Sequence, residues 1–291
     1  MSSTGGISED AGLNAARKYV IPNTVKIKLD KGELAHSFSI KLISNIEIVH
    51  YAAAAGYDAI LIDLEHSSMG LEATNQLSCA ALQVGVTPIV RVPANTSDWM
   101  SRALDGGAQA VIVPHVKNAK EAQIVVRYAK FPPLGERSAT SGMPALRYAA
   151  VAPKYANQLA NESTLVICMI ETQGSLDVVD EIAAVPGVDV LLIGSADLTA
   201  DMGIAGEFDH PRLTEVYKIV SEAAAKVSID GRLLSVGIGG LNGRPDLIEK
   251  FASTHSNARY SMSGADNAML LNVMKAGAES CRKMTQKLAG Q

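Results

Sequence analysis

Aromatic side chains are scarce in this chain of 291 residues, with one Trp, four Phe and eight Tyr. Proteins that grip single-stranded nucleic acid stack bases on aromatic platforms inside a positive groove. Here platforms are few and the formal net charge is −4, so no nucleic-acid partner is expected. Cysteine is equally thin: Cys79, Cys168 and Cys281 are three in number and lack CxxC spacing, which sets aside a disulfide framework or a zinc site. No apolar run reaches the roughly 18 residues of a membrane span. The polar start MSSTGGISEDAG also lacks the apolar centre of a signal peptide. A soluble cytoplasmic protein, without a membrane partner, is the expectation.

What is present suits one large core. Hydrophobic residues make up 47% and charged residues 19%, the balance of a globular domain. The length fits an α/β barrel of roughly 250 residues with extensions. Residues 1–31 read as a partly mobile N-terminal extension and 32–291 as one barrel domain. Short apolar, β-branched runs occur at 35–40, 59–64, 87–92, 110–116, 165–170, 188–193, 233–236 and 258–262. Between them lie stretches of helical spacing at 44–55, 71–84, 97–104, 119–129, 175–184, 211–227, 245–253 and 267–287. Eight strand–helix alternations with short links predict parallel strands joined by right-handed crossovers, hence a closed (β/α)8 TIM barrel. The longest irregular stretch, FPPLGERSATSGMPALRYAA from Phe131 to Ala150, is long enough to carry function.

Barrel chemistry gathers where strands end. The second run closes on Asp63, Glu65 and His66, the third on Arg91, the fourth on His115, the fifth on Glu171 and the sixth, through IGSAD, on Asp197. Glu171 and Asp197 end consecutive strands. Two carboxylates that close need a cation or a proton between them, and oxygen ligands suit Mg2+ or Mn2+; capping of the helices that follow is the alternative. Arg91 reads either as an ion-pair partner of Asp63 or Glu65, or as a fixed donor to a developing oxyanion. His66 is spaced for orientation by Asp63 as a base, and His115 stands either in the mouth or under a loop. SVGIGG from Ser235 reads as a tight loop ending the seventh strand, and Ser195 lacks the surroundings of a nucleophile elbow. Lys26, Lys28, Lys31 and Lys41 read as a solvated face, leaving no lysine at the strand ends for Schiff-base chemistry.

The strings DLEHSSMG, RVP, LDGGAQAVIVPHVKNAKEA and IETQGSLDVVDEIAAVPGVDVLLIGSADL together resemble the HpcH/HpaI aldolase/citrate lyase superfamily of class II pyruvate aldolases. The resemblance runs from about Gly32 to Ala276. FPPLGERS, the histidine of VPHV and Tyr155 place it nearest the branch that contains macrophomate synthase, although Ser138 stands where the pattern has glycine. The resemblance implies a barrel whose last helix is exchanged between subunits in a homohexamer, a dimer of trimers. It makes Glu171 and Asp197 ligands of Mg2+, or of Mn2+ or Co2+, and His66 with Asp63 the acid–base pair. Arg91 becomes a catalytic contact, with His115, Tyr155 and Ser195 as further substrate contacts, and Asp105 an acid lent to the neighbouring subunit's mouth. The activity implied is lyase chemistry through a pyruvate enolate held at the metal, as in aldol cleavage of 4-hydroxy-2-oxo acids to pyruvate and an aldehyde. Two alternatives stand beside it: an oxaloacetate decarboxylase of the macrophomate type that adds the enolate to a pyrone, and a barrel that binds metabolites without chemistry.

Overall fold

Along each apolar run, successive side chains face opposite sides of the sheet, and the burial of this chain follows that rule around a closed ring. The structure is a computed structural model that describes residues 11–229 and 232–290; residues 1–10 of the expected extension lie outside it. The chain runs through helices α1 (Ala11–Arg17) and α2 (Thr24–Asp30), then β1 (Ala35–Ile40), α3 (Glu47–Ala54), β2 (Ala59–Asp63), α4 (Leu71–Val84), β3 (Thr87–Arg91) and α5 (Ser97–Asp105). It continues through β4 (Ala110–Val113), α6 (Ala119–Ala129), α7 (Pro153–Ser163), β5 (Leu165–Ile170), α8 (Gln173–Asp177), α9 (Val179–Ala183), β6 (Val190–Gly194) and α10 (Ser195–Asp201). The last elements are α11 (Pro211–Val227), β7 (Ser235–Gly239), α12 (Pro245–Thr254), β8 (Ala258–Ala265) and α13 (Asp266–Ala289). All eight strands pair in parallel in the order β1 to β8, and β8 closes on β1. The expected barrel is therefore the observed one. Among the described residues no helix is long and apolar enough to cross a membrane.

One side of each strand packs against the helices, as Ile60, Ile62, Val90, Val111, Cys168 and Ile193 do. The other side fills the barrel with Leu61, Ile89, Ile112, Ile167, Met169, Leu192 and Tyr260. Val25 and Leu29 of α2 join this inner cluster, so α2 closes the floor. Asn23 locks the plug: its side-chain amide donates to the carbonyls of Gln109 and Ser163 at 3.1 and 2.9 Å, and its Oδ1 accepts from Lys26 N–H at 3.0 Å and Thr87 Oγ1 at 3.2 Å.

Two local expectations need correction. Ser235–Gly239 is the seventh strand itself, because Gly237 and Gly239 let it pass beside Leu192; a Cβ at Gly237 would stand 2.7 Å from that side chain. The helix expected over 175–184 is two short helices that break at Val178.

Helix α13 departs from the barrel. Of its 24 residues only Asp266 is buried, while Met269, Leu271, Val273, Met274 and Leu288 stand exposed. A groove of about 780 Å³, lined among others by Leu34, Ile248, Ala252 and Gly264, runs along β8 and α12 beside its root.

Replacing Asn23 by Ala removes an N-cap and strands buried backbone acceptors, so we expect a loss of about 2 kcal/mol or more. Urea unfolding followed by circular dichroism should show a lower midpoint at unchanged slope; a wild-type midpoint refutes the floor-lock role.

Candidate active site

The inward side of each strand ends in charge. Two residues beyond the last inner apolar side chain, Leu61 is followed by Asp63, Ile89 by Arg91 and Met169 by Glu171. The twofold alternation of a strand carries these polar groups into the same mouth. Asp63 and Glu171 are buried and Arg91 is 5% exposed.

Arg91 grips Asp63 at two points, Nε to Oδ1 at 2.9 Å and Nη2 to Oδ2 at 2.5 Å. Its Nη1 lies 2.9 Å from Glu65 Oε2 as a charge contact without hydrogen-bond alignment. The Asp63 carboxylate also accepts the backbone N–H groups of Glu65 and His66. Lys41 Nζ stands 3.1 Å from its Oδ2. Burial pushes the Asp63 carboxyl up, but Arg91 and Lys41 outweigh it and hold the group below the usual carboxylate range. Asp63 is therefore a fixed anion rather than a proton acceptor.

His66 differs from its expected place. Asp63 takes its backbone N–H, whereas the ring stands exposed at the rim with Nε2 3.6 Å from Glu65 Oε2. His115 belongs to the mouth: its backbone N–H donates to Glu171 Oε2 at 2.7 Å, its Nδ1 is 3.3 Å from the same oxygen, and its Nε2 is 3.1 Å from Glu65 Oε1. At φ +56° it is a non-glycine residue in the left-handed region, a conformation that surrounding structure must enforce.

Glu171 is the least comfortable anion of the group. Burial raises its carboxyl pKa, the His115 N–H works against that, and the charges of Glu65 and Asp197 raise it further. Asp197 stands exposed in the first turn of α10, near enough for its charge to be felt. Gly194 gives the Glu171 side chain its room, since a Cβ there would lie 2.6 Å from Glu171 Cγ. A buried carboxylate crowded by like charges fits a hard divalent cation, with Glu171 and Asp197 as oxygen donors. Among the described residues no ready-made cage of three or more His, Cys, Asp and Glu side chains occurs.

Other expected residues lie elsewhere. Ser195 is buried at the start of α10 with its hydroxyl 3.1 Å from Tyr217 Oη, beneath the mouth. Tyr155 packs with Leu13, Phe131 and Leu159 between α1 and α7. Asp105, at the end of α5, pairs with the buried Arg137 at 2.5 Å, and Arg137 stacks on Phe131. Lys41, assigned above to a solvated face, is instead in the mouth. The signal was its parity: it follows Ala35, Ser37 and Ser39 on the inward side of β1.

Comparison with known proteins gives the family and the fold of this chain. The chain is 38% identical over 263 residues to the 4-hydroxy-4-methyl-2-oxoglutarate aldolase of Hapsidospora irregularis, an alignment spanning 89% of this chain and 93% of that protein. The crystal structure of an HpcH/HpaI aldolase from Desulfitobacterium hafniense superposes with a TM-score of 0.81 at 29% identity, over 88% of this chain and 96% of the other. Macrophomate synthase superposes with a TM-score of 0.73 at 24% identity, over 94% and 90% of the two chains, which is a likeness of fold. The sequence description of HpcH/HpaI aldolase/citrate lyase matches residues 42–254, and the chain belongs to that family.

Proposed function

We propose that this mouth cleaves 4-hydroxy-2-oxo acids to pyruvate and an aldehyde or ketone, with a divalent cation at Glu171 and Asp197. The observation that carries the reading is a row of alternating basic and acidic side chains across the mouth, from Lys41 through Asp63, Arg91, Glu65 and His115 to Glu171. Mg2+, Mn2+ or Co2+ held there supplies Lewis acidity toward the keto oxygen. The named substrate of the Hapsidospora relative is a 4-hydroxy-2-oxo acid, which supports the class.

The chain's own groups divide the work. Asp63 holds Arg91 so that its guanidinium faces the oxygen on which charge develops. The rim imidazole of His66, with Glu65 beside it, takes the proton of the 4-hydroxyl. The C3–C4 bond then breaks, the carbonyl product leaves, and the electron pair moves toward the C2 oxygen opposite Arg91. Return of a proton to C3 completes pyruvate. Decarboxylation of oxaloacetate needs no base for a hydroxyl, so the two reactions separate at His66.

The exposed apolar residues of α13 and the groove beside its root support exchange of this helix between copies in a homo-oligomer. The hexameric arrangement and the loan of Asp105 to a neighbouring mouth are part of this proposal; the position of Asp105 outside its own chain's charge row supports that loan.

Glu171→Gln should lower metal-dependent pyruvate release from 4-hydroxy-2-oxo acids and from oxaloacetate by roughly a hundredfold or more. A raised carboxyl pKa contributes stability at low pH that is lost as pH rises through the folded value, so the neutral amide should leave the metal-free melting temperature at pH 7 unchanged or higher. It should also remove any melting-temperature rise on adding Mg2+; retained activity would sink the ligand role. His66→Ala should depress aldol cleavage by about tenfold to a thousandfold and oxaloacetate decarboxylation much less, and equal losses would contradict its assignment as the base. For assembly, Val273→Asp with Met274→Asp should reduce the mass found by light scattering to that of one chain, and an unaltered mass would exclude α13 from the interface.

A further inference from the structure

The cation opposite the proposed metal end has no part in the steps above. In a ring of eight strands β1 lies opposite β5, so Lys41 at the end of β1 starts on the far side of the mouth from the strand that ends in Glu171, with its ammonium beside Asp63 of β2. Its one partner among the described residues is Asp63, at 3.1 Å. That carboxylate already receives two donors from Arg91 and two backbone N–H groups. A lysine ammonium carries three donors, so Lys41 has donors beyond what Asp63 uses, and 24% of its side chain is open to solvent. Arg91 places two donors on Asp63 and a third nitrogen beside Glu65, which leaves the β1 side of the mouth to Lys41.

The stem of this lysine is anchored. Asp266, the first residue of α13, accepts the backbone N–H groups of Lys41, Leu42 and Ile43 at 3.0, 2.8 and 2.8 Å. Three amides converging on one buried carboxylate fix the loop that carries the ammonium. Charge balance gives that ammonium a purpose. Asp63, Glu65, Glu171 and Asp197 outnumber Arg91 and Lys41 by two charges, which a divalent cation cancels. Without Lys41 the loaded mouth stays negative and repels a dianion more than a monoanion. A 2-oxo acid whose keto end is held at the Glu171 side would have its other end free to reach the β1 side of the mouth.

We propose that Lys41 is the specificity-determining cation of this mouth and receives the second carboxylate of dicarboxylic 4-hydroxy-2-oxo acids, an assignment that rests on the aldolase reading above. It is distinct from a Schiff-base lysine, since the amine is paired to an acid rather than isolated in an apolar pocket.

Two ligands of equal chain length test it: 2-oxoglutarate and 2-oxovalerate differ in ending with a carboxylate or a methyl group. Titration calorimetry on the full-length protein with Mg2+ should find 2-oxoglutarate bound roughly tenfold or more tightly. Lys41→Met should erase that preference and Lys41→Arg keep most of it. Equal affinities in the wild type, no binding of either acid, or a preference that survives Lys41→Met overturn the proposal. In turnover, the ratio of kcat/KM for 4-hydroxy-2-oxoglutarate over 4-hydroxy-2-oxovalerate should fall by a similar factor in Lys41→Met. A parallel loss on both acids, with the ratio kept, assigns Lys41 to holding Asp63 and also overturns it. If neither acid is cleaved but the binding preference appears and vanishes as stated, the aldolase reading fails while the Lys41 site stands.

Discussion

The two-point contact of Arg91 with Asp63 is the interaction on which the mouth depends. An isolated charge at that depth is costly, and only a partner with matched geometry makes it tolerable. Parallel N–H donors from one guanidinium onto one carboxylate supply that match. Once Arg91 is fixed, Glu65 is drawn to its remaining nitrogen, His115 is drawn between Glu65 and Glu171, and the row of charges acquires one arrangement. Removing either member would leave a buried ion with weaker partners, Lys41 and two backbone N–H groups for Asp63 or Glu65 for Arg91. The pair therefore organises the site before any ligand arrives.

That floor strengthens every charge above it. Ile89, Ile112, Ile167 and Leu192 fill the barrel below the mouth and α2 seals its far end, so charged groups are screened from above only. Low polarizability beneath a row of ions increases both attraction and repulsion within it. This explains how Asp63 and Glu171, two carboxylates in one mouth, move in opposite directions. Asp63 is surrounded by donors and stays ionised; Glu171 meets one backbone N–H, a histidine and two other acids.

Much of the architecture was legible in the chain because strand spacing and helix spacing differ so plainly. β1, β5, α4, α6 and α11 have the limits their periodicity predicts. Asp63, Arg91 and Glu171 were legible as strand-end residues, since a polar group closing an apolar run has few other places to go. Lys41 was missed because it was weighed by its charge and its lysine neighbours instead of by its parity on β1. Ser235–Gly239 was missed because three small residues suppress the apolar pattern of a strand. The ring of His66 could not be placed by spacing alone: backbone donation to Asp63 and side-chain orientation both satisfy a separation of three residues. Ser195 and Tyr155 show the same limit, as tertiary packing with Tyr217 and with α1 sets their surroundings.

The root of α13 is a joint between the last helix and the first strand. A helix of 24 residues is about 36 Å long at 1.5 Å per residue, and its single buried residue is the one tied to the loop after β1. The first turn of α13 and the strand end that bears Lys41 are thus held by one carboxylate, and Asp266 fixes the direction in which the helix leaves the barrel and the loop that carries the ammonium together.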